Sequence, residues 1–147
     1  MVRGVTLIET LLVIALLGLL AGFATVGLSG AGERSRVLEA RSAVFELDGR
    51  ARQLASRENG ARLVRSDGVL TLHAGNNDRN AVSYRRMPAP LDVRVRPQSG
   101  GSPLDEVVFD SRGRCPDYEF EVVRARDASI VERWRVSGLT GWAERVP

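Results

Sequence analysis

Residues 5–28, VTLIETLLVIALLGLLAGFATVGL, restrict the fold of this chain more than any other stretch. Between 11 and 28 there is no charge, and the only hydroxyl is that of Thr25. At about 1.5 Å per residue, a helix over those 18 residues spans roughly 27 Å, close to the thickness of a bilayer core. One carboxylate, Glu9, stands just inside the run, where an acid is expensive unless something answers it. Arg3 precedes the run, so the positive-inside rule puts the amino terminus in the cytoplasm and everything after Leu28 outside. A cleaved secretory signal also joins a basic start to an apolar core, and Ala21, Ala24 and Gly27 are small enough for such a cut. That reading leaves Glu9 without a role, and so does a plain signal anchor.

Arg3-Gly4-Val5-Thr6-Leu7-Ile8-Glu9 followed by an apolar run resembles the class III signal of type IV pilins and type II secretion pseudopilins. The resemblance implies a leader of residues 1–4, cut between Gly4 and Val5 by a membrane-embedded prepilin peptidase. N-methylation of Val5 follows, and Glu9 becomes the fifth residue of the mature chain. The new amine at Val5 of one subunit can meet Glu9 of its neighbour, offsetting the cost of the buried acid and fixing the axial stagger. The first mature residue in the family is usually Phe, and here it is Val. Gly18 and Gly22 form a GxxxG pair that lets helices approach closely in lipid. No proline interrupts this segment, so an unkinked helix is expected.

Ser29-Gly30-Ala31-Gly32 reads as a soft joint. Beyond it, Val37, Ala40, Val44, Leu47, Ala51 and Leu54 alternate by three and four, which predicts an amphipathic continuation of the helix over 29–58. Glu46–Arg50 and Asp48–Arg52 are i,i+4 pairs of the favourable order. The run is too short for a free coiled coil, so the stripe is expected to lie on a sheet. Asn59-Gly60 supplies a stop.

From Gly60 the pattern turns to strands. Segments 61–65 and 69–73 flank Ser66-Asp67-Gly68, a hairpin signal. Further strands are read at 81–86, 91–96, 106–110, 118–125, 130–137 and 142–146, with Pro88 and Pro90 breaking the chain between the first two of these. The expected fold is α+β: a long amino-terminal helix, transmembrane in its first half, packed on an antiparallel β-sheet of six or seven strands in residues 59–147. Val107-Val108-Phe109-Asp110-Ser111-Arg112-Gly113 and the closing Gly138-Leu139-Thr140-Gly141 resemble segments of the GspH/FimT group of pseudopilins.

Catalytic constellations are missing: no G-x-S-x-G, P-loop, H-E-x-x-H or paired-cysteine motif occurs. His73 has no nameable acid–base partner and reads as structural. Cys115 is the single cysteine, and Arg112 and Arg114 beside it are cations able to lower a thiol pKa. Asn76, Asn77 and Asp78 carry oxygen ligands without EF-hand spacing, and no metal or cofactor is expected.

The chain has 147 residues, a formal charge of +3 and 21 basic residues that are all arginine. Arg112, Arg114, Arg133 and Arg135 are the candidates for a DNA-contacting face, though Asp and Glu are interleaved with the arginines. Two functions follow from the resemblance. The first is a non-enzymatic minor pseudopilin in a type II secretion pseudopilus or type IV pilus-like machine that supports protein export. Such a protein is a single-pass inner-membrane protein with its carboxy-terminal domain in the periplasm. Its partners are other pilins, the prepilin peptidase, the inner-membrane assembly platform and, before assembly, membrane lipid. The alternative is a FimT-like minor pilin that binds DNA for natural transformation.

Overall fold

The computed structural model describes residues 7–75 and 81–147, with the side chains at 21 and 23–31 outside the description. One helix, α1 (Leu7–Glu58), precedes eight strands: β1 (Ala61–Ser66), β2 (Val69–Ala74), β3 (Ala81–Arg86), β4 (Leu91–Pro97), β5 (Glu106–Phe109), β6 (Tyr118–Arg124), β7 (Ile130–Val136) and β8 (Ala143–Val146). The chain divides into two units, Met1–Ser35 and Arg36–Pro147.

In the first unit the described part of α1 has no buried face. Every described side chain from 7 to 20 is exposed, Leu7 at 81% and Leu20 at 63%. A helix apolar all round is stable only when lipid or other protein covers it. Among the described residues no helix is long and apolar enough to cross a membrane. The expected span runs on through side chains that lie outside the description, as do Gly4 and Val5. The helical backbone continues through the expected joint at 29–32.

In the second unit α1 buries Ala40, Ala43, Val44, Leu47, Ala51 and Ala55, while Val37 and Leu54 are partly buried. The stripe read from the sequence stepped every 3.5 residues. The one observed includes the step 40–44–47–51–55, so its buried edge ends on Ala55 where the sequence pattern ended on Leu54. Alanines on this face let the sheets approach closely. The helix ends as expected at Asn59, whose φ of 57° is left-handed, and Gly60 N–H donates to Ala55 O at 2.9 Å. That is the six-to-one bond of a Schellman cap.

The strands form two antiparallel sheets of four, ordered β3-β2-β1-β5 and β4-β6-β7-β8. This corrects the expectation of a single sheet with six or seven strands. Alternation along each strand was legible, but the choice of neighbours is nonlocal: β5 returns to pair with β1, across 40 residues of sequence. The β1–β2 turn is a two-residue one, with Asp67 at φ 48° and Gly68 at 71°, the left-handed pair of a type I′ hairpin. Leu63, Leu70, Leu72, Val107 and Phe109 from one sheet and Val93, Val95, Phe120, Val122 and Val136 from the other enclose the helix stripe in one core. Phe45 sets its ring edge-to-face against Phe120 at 5.3 Å and Trp134 at 5.5 Å.

Candidate functional site

Glu9 lies in the first turn of the described helix, on an exposed position where a carboxylate complements the helix dipole. Gly18 and Gly22 have no atom within 4 Å of where a β-carbon would stand, so both present open surface.

A second cluster, which sequence reasoning missed, lies inside the folded unit. Asp48 and Arg52 are one turn apart on the core face of α1, with side chains only 7% and 15% exposed. Arg52 Nε donates to Asp48 Oδ2 at 2.8 Å and Nη2 to Oδ1 at 3.2 Å. The Tyr118 hydroxyl donates to Asp48 Oδ1 at 2.8 Å. The other guanidinium hydrogens reach across to loop carbonyls: Nη1 donates to Gly138 O at 2.8 Å and Gly113 O at 3.2 Å, and Nη2 to Ser137 O at 3.2 Å. The guanidinium carbon lies 5.4 Å from the centre of the Phe109 ring. One arginine thus ties the helix to the ends of β5 and β7.

The glycines of the two carboxy-terminal motifs exist for this approach. A β-carbon on Gly113 would stand 2.8 Å from Arg52 O, and one on Gly141 2.9 Å from Arg52 Nε. On Gly138 it would collide with the carbonyl of Cys115. Gly113 and Gly141 also take left-handed φ angles of 72°. The signal for this cluster was in the sequence: Val44, Asp48, Ala51 and Ala55 step by four, three and four. By spacing alone Asp48 and Arg52 are an i,i+4 pair.

Burial pulls the Arg52 pKa down, but the hydrogen bonds and charge of Asp48 outweigh it and the net shift is upward. Burial, then the charge of Asp48, pushes the Tyr118 hydroxyl well above its usual range. Cys115 Sγ lies 3.7 Å from Arg52 Nη2. Burial dominates there too, and the thiol is pushed up to about 11. The cation beside the thiol is Arg52 rather than the flanking Arg112 or Arg114, and desolvation outweighs it.

The DNA candidates fall in two places. Arg112 and Arg114 sit on the β5–β6 loop, where Arg114 is paired with Asp110 at 3.0 Å. Two backbone N–H groups on this loop, followed by the Arg114 side chain, hold Asp110 below the usual carboxylate range. Arg133 and Arg135 lie on the outward face of β7. Arg94 and Arg96 lead, across the sheet, to Glu119 and Glu121, then Arg133 and Arg135, then Glu144. Arg133 meets Glu121 at 2.8 Å, and Arg135 meets both Glu119 and Glu144 at 3.2 Å. Arg96 and Arg133 cover Glu121 until it is 1% exposed. Rows of alternating sign cancel most of the field that this face presents. The oxygen ligands of Asn76, Asn77 and Asp78 lie outside the described residues.

The fold is that of minor pilins and pseudopilins. The chain is similar to the minor pseudopilin EpsH from the type 2 secretion system of Vibrio cholerae. The TM-score is 0.54 at 14% identity, covering 76% of this chain and 94% of that one. A crystal structure of the same protein gives a TM-score of 0.53 at 16% identity, covering 74% and 91%. The type IV minor pilin FimU of Pseudomonas aeruginosa matches with a TM-score of 0.52 at 16% identity, covering 78% and 91%. No protein-family model and no curated protein matches the chain.

Proposed function

We propose that this chain is a minor pseudopilin, a structural and non-enzymatic subunit of a type II secretion pseudopilus or type IV pilus-like machine. It is made with a leader of residues 1–4, cut between Gly4 and Val5 and methylated on Val5. Residues 5–28 hold it in the inner membrane before assembly, with the folded unit in the periplasm, and afterwards line the filament core. Its partners are other pilin-like subunits, the processing peptidase and the assembly platform. The carrying observation is the helix itself. α1 runs on from a segment with every described side chain exposed and mostly apolar into one that organises a pilin-like core. Surface of the first kind calls for a cover from outside the chain. In a filament, neighbouring copies of such helices supply it, with Gly18 and Gly22 giving close approach and Glu9 setting register against the Val5 amine. The test is Glu9→Ala with cleavage and assembly read together. Cleavage should persist while incorporation into filaments and secretion fall; unaltered assembly would sink this reading. Intact mass of the mature chain should begin at methylated Val5.

DNA binding remains the second reading, and Arg112, exposed on its loop, is the residue that favours it. The ion pairs of Arg114, Arg133 and Arg135 support the assembly role instead. A mobility-shift titration of the full chain at moderate salt separates the two. Retardation abolished by Arg112→Ala would favour DNA.

A further inference from the structure

β3 is an edge strand of the first sheet and has the look of an unfinished one. It has six residues, with no proline and no acid, and two of its side chains are apolar and bare: Tyr84 on the outward face is 70% exposed, and Val82, at the register shift opposite Leu72 and His73, is 56% exposed. The other edges are shorter or blunted. β5 and β8 have four residues each, and β4 ends on Pro97 with Leu104 bridged to Val95. An unpaired edge of this length, carrying bare apolar side chains beside Arg85 and Arg86, offers pairing to another chain, and its charge is all of one sign.

The inward side of β3 says what that chain should look like. Ser83 and Arg85 pair with the buried Leu72 and Leu70, so they point toward the helix. Between β3 and α1 runs a groove of about 190 Å³ lined by Arg50, Gln53, Leu54, Arg57, Leu72, Val82 and Ser83. Arg50 and Arg85 share one carboxylate, Glu46, at 2.7 and 2.8 Å. Arg57 has no carboxylate partner among the described residues. Two guanidinium groups therefore share one acid, and a third beside the groove has none. A strand laid along β3 would hang its inward side chains over this groove, beside Val82, and its outward ones beside Tyr84.

We propose that β3 is an acceptor edge for an extended strand of a different subunit. That strand alternates carboxylates, turned toward α1, with β-branched or aromatic side chains turned outward. The main chain supplies the pairing and the alternation supplies the choice of partner. A second copy of this chain is the wrong occupant, since its own Arg50, Arg57 and Arg85 would gather at the same seam. The proposal rests on the reading of the chain as one subunit of a mixed assembly.

The test uses the full chain, isotope-labelled in detergent, titrated with three synthetic peptides of about eight residues. One alternates Glu and Val, one alternates Lys and Val, and one is all Glu. The Glu–Val peptide should bind and shift the amides of 81–86 together with the Arg50 and Arg57 side chains. The Lys–Val peptide should not bind, and the all-Glu peptide should bind at least about tenfold more weakly, lacking the outward pairs. Val82→Lys with Tyr84→Lys, both exposed and so compatible with folding, should weaken Glu–Val binding by about tenfold or more. Arg57→Ala should weaken it about threefold. No binding at millimolar peptide, equal binding of the all-Glu or Lys–Val peptide, or shifts mapping elsewhere would overturn the proposal. Failure of the filament reading would show instead in the Glu9→Ala assembly assay, which does not involve this edge.

Discussion

The two stretches of α1 invite comparison. Positions 7–20 carry leucine, isoleucine and valine on every side and bury none of them. Positions 36–58 carry fewer large apolar groups, use alanine on the buried face, and bury nearly all of that face. The richer stretch contributes nothing to the core of the folded unit, and the poorer one organises it. Apolar content therefore does not measure what a segment does for its own fold. What counts is whether the chain supplies the covering surface, as it does for Leu47, or leaves it open, as for Leu16.

This contrast can be broken by substitution. The largest effect is expected at Arg52→Ala, which strands Asp48 in the core and releases three loop carbonyls. Denaturant unfolding of the full chain in detergent should show a loss of about 3–5 kcal/mol. Leu47→Ala should cost a further comparable amount, about 2–5 kcal/mol, whereas Leu16→Ala should leave stability within about 0.5 kcal/mol and lower assembly instead. If Leu16→Ala unfolds the isolated chain as Leu47→Ala does, the division of labour is wrong. The glycines give a finer version. Gly138→Ala must push against the Cys115 carbonyl and should cost about 1–3 kcal/mol, while Gly18→Ala meets open space and should be silent until subunits associate.

A smaller effect belongs to pH. Cys115 is protonated more tightly when folded, with its pKa raised from 9.0 to about 11. Tyr118 is shifted the same way. A folded-state pKa above the unfolded one gives stability that is full below pH 9 and lost as pH rises toward 11. Alkylation of Cys115 should accordingly stay slow at pH 8 and accelerate with a midpoint near 11 rather than 9. The smallest effect is expected on the outer sheet face, where Arg135→Ala should change stability by about 1 kcal/mol or less because Arg135 and Glu144 keep about 40% of their side-chain surface in water.

Much of the fold was legible locally. The Asn59-Gly60 cap, the Asp67-Gly68 turn and the alternation of Leu91, Val93 and Val95 each depend on neighbours a few residues away, and each appears where the chemistry places it. Less legible was anything that required knowing what lies across the core. Asp48 and Arg52 read as an i,i+4 pair until Tyr118 is brought to the acid from 70 residues downstream and the Gly113 and Gly138 loops to the arginine from 61 and 86. Gly113, Gly138 and Gly141 read as turn residues until Arg52 is seen beneath them. Cys115 stands beside Arg112 and Arg114 in sequence, but burial next to Arg52 sets the direction of its shift.

By itself the sequence determined the order of elements, the helix with its stop, the turns, and the apolar stretch that asks for a cover. These rest on backbone preference and on periodicity, which act over one or two turns of chain. Tertiary structure alone decided that the strands divide into two sheets rather than one, that Arg52 binds the helix to the strand ends, and that β3 is left with an open side. Strand partners and buried ion pairs are chosen by the joint burial of distant side chains, and no local pattern encodes that choice.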